Sequence, residues 1–131
     1  MSTGIPPWVR WLPSGLWGAL ILALSTEPES FFPFAASQGG QYRVIHYYLE
    51  VAVHLVEFCV LFLLVAWPLR SQKRSWVAVI GWAFGAVLVL SLLNESVQSF
   101  TPTRMFDVGD MSVDALGGGL GALLARATDS D

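Results

Sequence analysis

Charge is scarce in this chain. Asp, Glu, Lys and Arg together make 13% of its 131 residues, about half the share of an ordinary soluble domain. The net charge is only −3, and no long basic run is present, which argues against a nucleic-acid partner. Cysteine is rarer still. The single residue, Cys59, excludes an internal disulfide, and its apolar surroundings mark it as an inert buried thiol. Long internal repeats and low-complexity tracts are also missing. What is plentiful is apolar side chain: 54% of residues, with a mean hydropathy of +0.57. A soluble protein this short has too little interior to hide so much apolar surface. A bilayer removes that conflict. The expected fold is an all-α membrane protein, a four-helix transmembrane bundle forming one domain over residues 1–131.

Four apolar stretches carry that expectation, at residues 11–25, 44–69, 75–93 and 111–125. At about 1.5 Å per residue they extend roughly 22, 39, 28 and 22 Å, against a hydrocarbon core near 30 Å. The third fits directly. The second must tilt or project. The first and last need flanking residues to complete a span. Lipid offers no partner for an unpaired backbone group, so all four are expected as helices. Arg10, a short apolar run and Ala23-Leu24-Ser25 also resemble a signal peptide with a small-residue cleavage site. A single basic residue ahead of the run favours an uncleaved helix; cleavage would leave three.

Basic residues set the expected orientation. Arg10, Arg70, Lys73, Arg74 and Arg126 fall on one face of a four-span bundle, and Arg43 and Arg104 on the other. The positive-inside rule puts the larger group, and with it both termini, in the cytoplasm. Trp8, Trp11, Trp67 and Trp76 cluster at the same boundary, as an aromatic belt does. Segments 26–43 and 94–110 are then exterior. The first contains Phe31-Phe32-Pro33-Phe34, expected to dip its rings into the interface. Small residues recur four apart, at Ser14/Gly18, Gly15/Ala19, Gly81/Gly85 and Gly117/Gly121. Such pairs let helices approach closely, within the bundle or between copies of the chain.

Ionisable groups inside a membrane segment are costly and are therefore candidates for function. Glu50, His54 and Glu57 lie on one stripe of the second helix. Glu57 falls near mid-bilayer, where it must be protonated, paired or wet; an internal hydrogen bond that fixes helix register is the structural alternative. The densest polar run spans 94–104 and continues through Asp107, Asp110 and Asp114. Glu95 and Gln98 share a face, as do Asp110 and Asp114. Asp110 is placed to cap the free N–H groups at the start of the fourth helix. Arg104 either neutralises neighbouring acids or grips a phosphate or carboxylate. Several carboxylates with one imidazole could also hold a divalent cation, but no spacing matches a metal motif, and no cofactor is expected.

The run Glu95-x-x-Gln98-x-Phe100-x-Pro102-x-Arg104-x-x-Asp107-x-x-Asp110-x-x-x-Asp114-x-x-Gly117-x-x-x-Gly121 resembles the signature of the VanZ-like membrane protein family. The second helix agrees: Glu50, then His54-Leu55-Val56-Glu57-Phe58, is similar to that family's acid-x-x-x-His-Phe-x-Glu-Tyr pattern. The likeness covers about residues 45–125. Asp114 stands where the family typically has Asn, Val51 where a Lys is common, and Leu55 and Phe58 replace the more usual Phe and Tyr. The resemblance implies a multi-pass protein of the bacterial cytoplasmic membrane. The family is named after a protein conferring low-level resistance to the glycopeptide teicoplanin, a role that a family likeness does not transfer by default.

Three functions fit these residues. In the first, Gln98, Arg104, Asp107, Asp110 and Asp114 form an exterior site for an anionic lipid or an envelope headgroup, possession of an Arg at the interface being the feature behind it. In the second, Glu50, His54, Glu57 or Glu95 is the acid/base of an enzyme acting on a lipid-linked substrate. In the third, the polar network fixes helix register and the small-residue faces meet a membrane-protein partner or a second copy.

Overall fold

The computed structural model describes residues 6–26, 40–102 and 104–129. Within them the chain is helical, with no strand. A short 3-10 turn, Pro7–Trp11, leads into α1, Leu12–Ser25; α2 is Gly40–Ser71, α3 is Trp76–Gln98 and α4 is Val108–Thr128. The Phe31–Phe34 motif and most of the first expected exterior segment lie outside the described residues.

Most of these helices run beyond the apolar stretches read from sequence, because polar residues complete the end turns. The polar run that follows Leu93 continues α3 for more than a turn, to Gln98. The α2–α3 connection is tight. Lys73 takes a left-handed conformation (φ 58°), and the Arg74 N–H bonds back to the Leu69 carbonyl at 3.2 Å. This closes orphan carbonyls at the end of α2. Ser75 then caps α3, its hydroxyl accepting from the Ala78 N–H at 3.3 Å.

The apolar core joins Phe58, Leu61, Phe62, Val65, Ala66 and Leu69 of α2 to Val79, Ala83 and Val87 of α3, with Ile21 of α1. The closest packing is between α2 and α4, and its cause is glycine. A Cβ on Gly117 would stand 2.5 Å from the Leu55 carbonyl oxygen, and one on Gly121 would stand 2.8 Å from the Cys59 carbonyl oxygen. The two main chains touch there. Gly118 faces α3, where a Cβ would meet Val87 at 2.9 Å. A Cβ added at Gly81 or Gly85 would meet nothing within 4 Å, so that pair serves no contact inside the bundle among the described residues. Helix α1 packs on α2 and α3 and, among the described residues, not on α4. Its buried stripe is Ser14, Gly18, Ile21 and Ser25, and the Trp17 indole N–H ties it to the Glu57 carbonyl at 2.9 Å.

Two segments, Val44–Ser71 and Trp76–Gln98, are long and apolar enough to cross a bilayer. Only 33% and 22% of their most apolar windows are buried inside the protein. Much of the rest is large apolar side chain turned outward, including Val53, Val56, Val77, Trp82 and Val89. An exposed apolar surface of this extent suits lipid and is ruinous in water. By length, α1 reaches roughly 21 Å and α4 roughly 31 Å.

Candidate functional site

The buried stripe of α3 runs Val79, Ala83, Val87, Ser91, Asn94, Glu95, Gln98. It changes from apolar to polar at Ser91, one turn before Glu95. That half of the bundle therefore has a hydrogen-bonding interior, and the opposing helices answer it.

Asp114 of α4 is fully buried. Its Oδ1 lies 2.8 Å from His54 Nδ1 of α2, and its Oδ2 accepts the Ser91 hydroxyl of α3 at 2.7 Å. A carboxylate can only accept, so the imidazole donates its Nδ1–H, leaving Nε2 as the nitrogen able to take a proton. Three helices thus meet on one carboxylate. Close approach at Gly117, one turn further along α4, lets the short Asp114 side chain reach α2 at all.

A second knot holds the start of α4. Glu95 is fully buried, and its Oε2 accepts the Asp107 main-chain N–H at 2.8 Å. Its other oxygen, Oε1, is buried without a hydrogen bond among the described residues. Asp107 itself is the N-cap, accepting from the Gly109 N–H at 2.6 Å. Such a cap contributes about 1 kcal/mol. The capping role expected of Asp110 therefore belongs to Asp107, three residues earlier. Asp110 sits in the first turn, near the positive end of the helix dipole. It lies ahead of the apolar part of α4 and is partly buried. Arg104 is held in the preceding turn by its own N–H to the Thr101 carbonyl, 3.0 Å. Its Nε is buried and unbonded, and among the described residues its guanidinium makes no ion pair within 4 Å. Gln98 is also buried, on the same stripe as Glu95.

The other expected members stand apart. Glu50 has a side chain 43% exposed and pairs at 3.5 Å with His46 one turn back on its own helix. Glu57 is partly buried and, among the described residues, makes no side-chain hydrogen bond or ion pair; it acts on His54 and Asp114 through its charge alone. Two contributions are absent from the sequence reading: Ser91, and the Ser25–Asn94 hydrogen bond that ties α1 to the polar end of α3. Ser91 is visible as a polar residue four before Glu95; its weight comes only with the fold. Among the described residues, no three His, Cys, Asp or Glu side chains converge to hold a metal ion.

A family model, VanZ/LLP1, matches residues 11–128. The chain belongs to the VanZ/LLP1 family. No curated protein and no solved structure matches it. At Asp114, where the resemblance to VanZ-like proteins implies an asparagine, the structure gives the acid a place. The side chain bridges His54 and Ser91, and an asparagine would serve both partners too, accepting from one and donating to the other.

Proposed function

We propose that this VanZ/LLP1 protein is a single-domain, four-span protein of the bacterial cytoplasmic membrane, with both termini in the cytoplasm, and that its polar end binds the phosphate-bearing headgroup of an anionic lipid or envelope precursor. The supporting observation is Arg104: among the described residues a cation without an ion pair, its Nε buried and unbonded, beside an acid-rich interior. An Arg fork matches phosphate geometry. The free oxygen of Glu95 offers an acceptor to a hydroxyl or amine of the same headgroup, and Asp107 and Asp110 shape the mouth. Arg104→Gln is expected to weaken binding of phosphatidylglycerol at that end of the purified protein about tenfold, the loss of one charge-assisted hydrogen bond. Native mass spectrometry reads this directly, and unchanged retention removes the proposal.

The fixed imidazole favours a second reading, acid/base chemistry on a lipid-linked substrate. Asp114 orients His54 and leaves Nε2 to accept a proton, as in many catalytic pairs. On this reading His54→Gln, expressed at wild-type level, fails to complement a deletion strain. Full complementation excludes it.

A further inference from the structure

A cavity of about 800 Å³ opens between α1, α2 and α3, away from the polar site. It falls within the range of sites that bury a small ligand, roughly 300–1,000 Å³. Its origin is the small-residue face of α1. A Cβ added at Gly15 would meet nothing within 4 Å, and Ala19 stands one turn on. The walls are apolar from Trp82 to Leu93 on α3, roughly 16 Å along the axis. At the α2–α3 turn the lining becomes polar, with Gln72 and Arg74.

The charges at that turn are unequal in their partners. Arg70 pairs with Asp129 at 2.6 Å and stacks on Trp76, which Arg126 also covers. Among the described residues Lys73 and Arg74 make no ion pair within 4 Å. An apolar trough ending on a guanidinium that has no ion pair among the described residues is complementary to an amphiphile with a long hydrocarbon tail and an anionic head. Basic residues at the mouth of an interhelical pocket are a recurrent means of holding such lipids. Left unfilled, the walls would forfeit their dispersion contacts on one side.

We propose that this groove seats one acyl chain of an anionic phospholipid, with its phosphate on Arg74. The site is separate from that of Arg104, at the other end of the bundle. The detergent-purified protein, offered equal amounts of phosphatidylglycerol and phosphatidylcholine, is expected to keep phosphatidylglycerol preferentially in native mass spectrometry. Arg74→Gln lowers that preference roughly fivefold, the share of one cation. Gly15→Phe and Ala19→Phe fill the trough and reduce retention of both lipids, with helical content by circular dichroism unchanged. Arg104→Gln leaves the Arg74-dependent part of the preference in place. Equal retention of the two lipids by the wild type overturns the proposal. So does a preference lost in Arg104→Gln but kept in Arg74→Gln, or indifference to both phenylalanine variants. A dimer that forms without lipid and is broken by Gly15→Phe assigns the groove to a second copy and overturns it equally.

Discussion

Gly117→Ala is expected to destabilise the protein by roughly 2–3 kcal/mol, the upper part of the range for overpacking a close contact. The new methyl would lie 2.5 Å from the Leu55 carbonyl oxygen and 3.2 Å from the Leu55 Cα. Main-chain atoms cannot swing aside as the end of a side chain can, so α2 and α4 must separate. Separation also stretches the His54–Asp114 hydrogen bond one turn away. The control is Gly119→Ala, where a Cβ meets nothing within 4 Å. There the better helix former should leave stability unchanged or raise it by up to about 1 kcal/mol. Thermal unfolding in detergent, followed by circular dichroism, distinguishes the two. Equal effects at both positions would mean that α4 does not approach α2 through this face.

The second large effect is expected at Asp114. Asp114→Ala removes the acceptor of both His54 and Ser91. Ser91 can turn its hydroxyl to a carbonyl of its own helix. His54 has no such recourse on a helix and keeps a buried unpaired N–H, worth roughly 2–3 kcal/mol. Asp114→Asn restores an acceptor for the imidazole and a donor for the serine oxygen, so its cost should stay below about 1 kcal/mol. Chemical unfolding of the three proteins in mixed micelles gives the comparison. If Asn and Ala are equally damaging, the negative charge itself, and not the satisfied geometry, holds the three helices together.

Much of this architecture can be read from residue order, and the reasons differ between elements. The bodies of α2 and α3 announce themselves because a helix facing lipid must be apolar almost all round. Their ends are harder to see. Asn94, Glu95 and Gln98 look like loop in hydropathy, yet they extend α3 with their side chains buried, Asn94 bonded to Ser25 of α1 and Glu95 to the Asp107 main-chain N–H. The convergence of His54, Glu95 and Asp114 follows from the cost of burying polar groups in hydrocarbon, which forces them towards one another without saying how. Whether a given acid joins depends on rotation about its helix. Glu50 lies one turn from His54 on α2, but it reaches back to His46 on its own helix and stays half in the open. The misplaced cap has a similar origin. Asp107 and Asp110 both precede the apolar run, and only the Glu95 oxygen receiving the Asp107 N–H decides which of them begins the helix.

The Gly117–Gly121 contact bears on another expectation as well. Four small-residue pairs look alike in sequence, yet they do different things. Gly117/Gly121 brings two main chains together, Ser14/Gly18 seats α1, Gly15/Ala19 leaves a trough, and Gly81/Gly85 faces outward. The spacing marks a helix face that permits proximity. The neighbouring helix determines whether the permission is used.

The composition of α4 has a consequence for biogenesis. The helix is long enough to span, but it is not among those apolar enough to do so alone. It carries Asp110 and Asp114 and a run of glycines in place of bulky aliphatics. Leaving the ribosome after the other three helices, such a segment gains little from contact with acyl tails. It gains more from a waiting imidazole and hydroxyl on helices already inserted. In the proposed four-span topology, its entry into the bilayer is thereby coupled to the prior arrival of α2 and α3, so translation order and tertiary contact act together to complete the bundle.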